Sequence, residues 1–145
     1  MQRVPDDLHA VLTGEIIGAF YHVYNTLGYG FLESVYQNAL LVTLRKHSRQ
    51  AEVQLPVDVY FEGVVVGHYY ADLIVDRLVI IELKSVESLC EAHEAQLLNY
   101  LRATDIEVGL LLNFGPKPQI KRKVYSNKRK RDFADDHDQS SAPES

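Results

Sequence analysis

The chain has 145 residues, 46% of them apolar and 24% charged, which is the composition of one globular domain with its own core. It contains no apolar run of about 18 residues or more, and its N-terminus lacks the basic-then-apolar pattern of a signal peptide, so we expect no membrane association. Cys90 is the only cysteine, which excludes an internal disulfide and a cysteine-ligated iron–sulfur cluster or zinc site. This cysteine usage fits a reducing cytoplasm.

The net charge of −5 hides three segments of different sign. Residues 1–116 carry 7 Lys/Arg against 15 Asp/Glu, residues 117–131 carry 8 Lys/Arg and no acid, and residues 132–145 carry 5 acids and no base. The charge of each segment is therefore a better guide to its partners than the overall charge of the chain.

Two amphipathic helices are predicted first. Apolar residues recur at three- and four-residue steps over 7–27, and Gly28 and Gly30 interrupt the pattern before a second helix over 32–46. Three strands follow from Ala51 to Lys84, with turns at 62–63 and 76–77, and then a helix over 89–103 and a buried strand over 107–114. The order α-α-β-β-β-α-β predicts an α/β fold with a mixed four-stranded sheet flanked by helices.

Three charged residues interrupt the apolar strands. Asp72 lies among Tyr, Leu, Ile and Val, while Glu82 and Lys84 interrupt the third strand and, being two apart, project from one face. Charges in such strands are costly unless they are paired or bound to a metal. Two carboxylates and a lysine suit Mg²⁺ or Mn²⁺ and a water that attacks a phosphodiester. The alternative is a Glu–Lys surface pair on an edge strand.

The hairpin register tests this site. Asp72 and Glu82 share a face only if paired residue numbers sum to an even number, whereas a two-residue loop at Asp76–Arg77 would pair 75 with 78. We therefore predict a loop of odd length or a β-bulge near 76–78.

Other polar residues have two interpretations each. Gln96 and Tyr100 are four apart on the predicted helix and could form part of a site or an ordinary polar surface. Glu33, near the start of the second helix, could serve the site or simply complement the helix dipole.

Several ordered motifs resemble those of a known family. The segment Gly30-Phe31-Leu32-Glu33-Ser34-Val35-Tyr36 is similar to the signature of the GxxExxY proteins, and residues 70–75, 80–84, 93–101 and 108–115 resemble that family's other blocks. The resemblance covers roughly residues 8–125. It implies a restriction-endonuclease-like core of the PD-(D/E)XK nuclease superfamily, and Gln96 with Tyr100 resembles the motif of its RecB-like branch. Ala71 departs from the proline of the superfamily's name.

The resemblance also implies roles. It assigns metal binding to Asp72 and Glu82, the acidic position of the first core helix to Glu33 as a further ligand, the catalytic lysine to Lys84, and positioning of substrate or site to Gln96 and Tyr100. The implied cofactor is Mg²⁺ or Mn²⁺, without an iron–sulfur cluster.

The expected activity is a metal-dependent nuclease acting on DNA, and a further possibility is that the site serves another phosphodiester, such as RNA. Phosphate contacts would come from the basic residues Lys117, Lys121, Arg122, Lys123, Lys128 and Arg129. That run could equally be a solubilising stretch. The alternative function is a catalytically inactive module on the same fold that binds nucleic acid or a protein.

We predict a nuclease-like domain over residues 1–125 and a disordered tail over 126–145, basic and then acidic. The acidic end could fold back on the basic run. A homodimer is compatible with the sequence, although no feature specifies one.

Overall fold

The computed structural model describes residues 8–131. Its elements in chain order are α1 (Ala10–Leu27), α2 (Glu33–Lys46), β1 (Ala51–Phe61), β2 (Val64–Val75), β3 (Val79–Lys84), α3 (Glu91–Arg102), β4 (Val108–Phe114) and β5 (Pro118–Val124). None of the helices in this described range is long and apolar enough to cross a membrane. The predicted order is thus observed, with one further strand at its end.

The sheet has five strands in the order β1-β2-β3-β4-β5, so the predicted count of four was wrong. Only β3 and β4 pair in parallel, and α3 connects them. The missed strand, β5, pairs antiparallel with β4 at the edge of the sheet. Its sequence Pro-Gln-Ile-Lys-Arg-Lys-Val has little apolar alternation, because an edge strand is only partly covered, and proline is tolerated at the start of such a strand.

Two hydrophobic cores lie on opposite faces of the sheet. The first, under α1 and α2, includes Phe20, Tyr36, Ile81 and Leu112. The second, on what we call the α3 face, includes Ile74, Ile80, Leu97, Leu111 and Tyr125. Because β3 and β4 are covered on both faces, nearly every residue in them is buried, as their continuous apolar sequence predicts.

The hairpin between β2 and β3 meets the register condition. Leu73 pairs with Ile81 and Val75 with Val79, so the paired numbers sum to an even value and the loop contains the three residues 76–78. Asp76 and Arg77 both have positive φ, 53° and 58°, which closes this short loop. The predicted odd loop is confirmed.

Residues 127–131 form a short helix beyond β5. Lys130 Nζ donates to the carbonyl oxygens of Thr104 and Ile106 at 2.8 and 2.7 Å, which ties this helix to the end of α3. This part of the segment 126–145, predicted to be disordered, is therefore structured. Residues 132–145, with the acidic end of the predicted tail, lie outside the described residues.

Candidate active site

Asp72 and Glu82 face each other where the β2–β3 ladder ends. The main-chain pairing stops at Leu73 and Ile81, and side chains replace it at the next position. The Asp72 N–H donates to Glu82 Oε1 at 3.0 Å, and the Leu83 N–H donates to Asp72 Oδ2 at 2.7 Å. Each carboxylate thus commits one oxygen to the backbone and keeps Oδ1 or Oε2 for another partner.

The side chains of β2 switch from one face of the sheet to the other at Asp72. Leu73 and Val75 pack into the core under α1 and α2, but Ala71, at the same two-residue spacing, packs on the α3 face. Regular alternation would keep all three on one side. The reciprocal carboxylate bonds therefore occur at an irregular point of β2, where the hairpin β1–β2 departs from β3.

The Glu82 carboxylate is buried, and the Asp72 carboxylate beside it is half-buried. Glu82 is only 4% exposed, and burial raises its pKa to about 8, with the charge of Asp72 adding to the effect and the Asp72 N–H and Lys84 opposing it. Burial also raises the pKa of Asp72, against the hydrogen bond from the Leu83 N–H. Buried negative charge is costly without a compensating cation, so this pair is poised to accept one.

Lys84, Gln96 and Tyr100 form a hydrogen-bonded chain beside the carboxylates. Lys84 Nζ lies 3.5 Å from Gln96 Oε1, and Gln96 Nε2 donates to the Tyr100 hydroxyl at 2.9 Å. Burial, followed by the charge of Glu82, raises the pKa of Tyr100. The structure therefore brings together the lysine of β3 and the two α3 residues whose spacing placed them on one helix face.

Glu33 joins the site from the first turn of α2. Its Oε1 accepts a hydrogen bond from the Ser85 N–H at 3.3 Å, one residue beyond Lys84. Its charge raises the pKa of both Asp72 and Glu82, although less than burial does. Glu33 thus sits at a helix N-terminus and also adds negative charge to the site.

The donor set suits a divalent cation held by two carboxylates. Among residues 8–131 no group of three His, Cys, Asp or Glu side chains is arranged to hold a metal ion, so Glu33 is not assembled with Asp72 and Glu82 as a preformed trio. Mg²⁺ commonly binds through one or two carboxylates and keeps several waters. One buried and one half-buried carboxylate, both with raised pKa values and each with an oxygen free to bind, fit such an ion.

The basic run does not form one surface. Lys121 and Lys123 pair with Leu111 and Gly109 and so lie on the α3 face, whereas Arg122 pairs with Leu110 on the other face and donates to the Leu8 carbonyl at 2.8 Å. Lys123 is also engaged, forming an ion pair with Glu94 at 2.8 Å.

The remaining predicted basic residues are dispersed. Lys117 is exposed in the β4–β5 turn, Lys128 lies in the short helix 127–131, and the Arg129 guanidinium stacks 4.5 Å from the centre of the Tyr125 ring.

Three further residues hold the segment that follows Lys84. The Val86 N–H donates to Asn113 Oδ1, and Asn113 Nδ2 donates to the Val86 carbonyl and to Gln119 Oε1. Gln119 Oε1 also accepts from the Leu89 N–H. A Cβ on Gly115 would lie 2.1 Å from the Val86 carbonyl oxygen. We call these contacts of Asn113, Gln119 and Gly115 the brace, and the only sequence signal for it was an asparagine inside an apolar strand.

A family model described as the PD-(D/E)XK nuclease superfamily matches residues 10–123. The solved structure of SSO0001 is similar at 20% identity and a TM-score of 0.49, covering 76% of this chain, which spans 59% of that one. No curated protein matches significantly. The mixed sheet flanked by helices is thus the predicted restriction-endonuclease-like fold, and the chain belongs to the PD-(D/E)XK nuclease superfamily.

Proposed function

We propose that this protein is a nuclease that hydrolyses phosphodiester bonds in DNA and depends on Mg²⁺ or Mn²⁺. The observation that carries the proposal is the convergence of Asp72, Glu82 and Lys84 on the α3 face. Superfamily membership supports the reaction class. The GxxExxY and RecB-like assignments and a cytoplasmic location belong to this proposal.

Asp72 and Glu82 would hold the metal ion. When bound, such an ion lowers the pKa of a coordinated water and neutralises charge on the phosphate. The backbone bonds to Oδ2 and Oε1 fix the direction of each carboxylate before any ligand arrives. Glu33 would act from a greater distance, increasing the negative charge that draws in a cation.

Lys84 would supply the positive charge that the reaction needs beside the metal. Its ammonium is close enough to lower the pKa of both carboxylates, so it lies within the same charge cluster. Gln96 orients it by accepting a hydrogen bond, and Tyr100 in turn fixes Gln96. An ammonium held in this way can align the attacking water or stabilise charge on the phosphorus oxygens.

DNA is the proposed substrate, and RNA is the alternative substrate to be tested. Lys121 and Lys123 support a phosphate-binding role because they lie on the α3 face with the carboxylates. Binding by such contacts weakens as salt rises.

The test is a nuclease assay with Mg²⁺ or Mn²⁺ on single- and double-stranded DNA and RNA. Asp72→Asn and Lys84→Gln are the informative variants. The asparagine oxygen can still accept from the Leu83 N–H, so Asp72→Asn removes charge without removing that main-chain bond. Lys46→Gln, on the exposed end of α2, is the control.

We expect Asp72→Asn and Lys84→Gln to lose at least ~10²-fold in rate, the scale of removing one electrostatic or acid–base group. Lys46→Gln should keep full activity. Cleavage that needs no divalent ion, or that survives Asp72→Asn, contradicts the mechanism. Binding of DNA without any cleavage would instead identify an inactive module on the nuclease fold.

A further inference from the structure

A large groove leads away from the catalytic residues along α3. It has a volume of about 880 Å³ and lies between α3 and the far end of the β1–β2 hairpin, where residues 58–60, 66, 67 and 69 form its wall. Gln96 and Tyr100 line this groove and also form the chain that reaches Lys84. These two residues therefore border both the groove and the candidate site.

Four tyrosines line the groove: Tyr60, Tyr69, Tyr100 and Tyr125. Tyr60 and Tyr69, on the hairpin wall, are 64% and 50% exposed. The Tyr69 ring lies across from the Tyr100 ring, with centroids 6.2 Å apart and planes tilted by 47°. Exposed rings in a groove offer flat surfaces on which any nucleobase can stack, whatever its sequence.

The charge of the groove does not suit a duplex. Its charged lining residues are Asp58, Arg102 and Lys130. Lys130 Nζ already donates to three oxygens, so its hydrogen-bonding capacity is used within the protein. Non-specific duplex binding depends on many phosphate contacts, and this groove supplies almost none. Its chemistry favours bases over backbone.

We propose that the groove binds a single-stranded segment of nucleic acid by stacking its bases on Tyr60 and Tyr69. The strand then reaches Lys84 past Tyr100 and Gln96. This inference rests on the proposed function for the identity of the ligand. It adds that the scissile strand is unpaired where it approaches the site.

The test measures binding of the full chain in EDTA, where metal-dependent cleavage cannot occur. The probes are a fluorescent oligothymidylate of about 20 nucleotides and a duplex of equal length, followed by anisotropy. We expect the single strand to bind more tightly, with log affinity falling against log salt no more steeply than about −2. Tyr69→Ala should weaken single-strand binding about 5- to 150-fold, and Tyr69→Phe should restore it.

Tyr21→Ala is the matched control, because Tyr21 is 41% exposed on α1 and does not line the groove. Circular dichroism will confirm that each variant is folded. As a second measurement, photo-crosslinking to an oligonucleotide with bromodeoxyuridine should label the peptide that contains Tyr60 or Tyr69. Crosslinks confined to residues 117–131 would overturn the proposal.

Other outcomes separate this inference from the proposed function. Cleavage with unchanged single-strand affinity in Tyr69→Ala would reject the groove and leave the nuclease intact. If single-strand binding depends on Tyr69 but no cleavage occurs with any metal ion, the proposed nuclease activity is rejected and the proposed groove is retained. Self-association that Tyr69→Ala abolishes would assign the groove to a second copy of the chain and overturn the proposal.

Discussion

Glu82→Gln should stabilise the metal-free protein, and increasingly so as pH rises. The variant keeps an oxygen to accept from the Asp72 N–H but removes an ionisable group whose pKa burial has raised from 4.5 to about 8. Between these values Glu82 holds its proton in the folded chain and releases it on unfolding. Because the folded state binds more protons, stability falls as pH rises through this window.

The magnitude follows from the size of the pKa change. One pKa step corresponds to about 1.4 kcal/mol, so Glu82 should cost the wild-type fold about 3 kcal/mol between about pH 5 and pH 8. Glu82→Gln should escape this loss. The advantage of the variant should therefore be small near pH 5 and several kcal/mol near pH 8.

Urea unfolding in EDTA, at several pH values across this window, measures the difference directly. Glu62→Gln, in the exposed β1–β2 turn, controls for loss of one charge. Saturating Mg²⁺ should reduce the difference in unfolding free energy between Glu82→Gln and the wild type, because the ion stabilises only a protein that binds it. At an Mg²⁺ concentration of 100 times its Kd this stabilisation is about 2.7 kcal/mol. A stability difference between variant and wild type that stays constant with pH, or grows toward acidic pH, would refute the burial of an uncompensated carboxylate at Glu82.

Four further variants, one of them a control, test the residues around the site. Gly115→Ala should destabilise the fold by about 1–3 kcal/mol, because its Cβ would clash with the Val86 carbonyl oxygen. Gly14→Ala, where α1 leaves open space for a Cβ, should stabilise the fold by up to about 1 kcal/mol. Thermal unfolding compares the two variants. Asn113→Ala should lower both the melting temperature and the rate of cleavage, and a normal rate in the folded variant would argue against a positioning role. Lys123→Gln should change stability by under about 1 kcal/mol. It should nevertheless weaken binding of nucleic acid at low salt, which a salt titration tests.

Much of the site followed from local sequence rules. The two-residue period of a strand placed Glu82 with Lys84, and the helical step placed Gln96 with Tyr100. The even-sum condition required a loop of odd length or a β-bulge, and the observed loop has three residues. These rules concern one element or one hairpin, so the sequence alone sufficed.

Features that depend on several elements were harder to foresee. The β5 strand reads as a basic run, because its pairing partner rather than its own composition makes it a strand. The groove is lined by α3 together with the far end of the β1–β2 hairpin, two elements that are distant in the sequence. The brace through Asn113 joins residues 27 positions apart, at Val86, and no periodic pattern marks such a contact.

The reciprocal bonds at the end of the β2–β3 ladder also make the site observable without any substrate. The amide protons of Asp72 and Leu83 are held by carboxylate oxygens, so their exchange with solvent reports the position of those side chains. A cation that uses only the spare oxygens would slow exchange at both amides, whereas one that pulls a carboxylate away would expose its amide and accelerate it. Over minutes to hours, these two protons distinguish a site built in advance from one that its metal must rearrange.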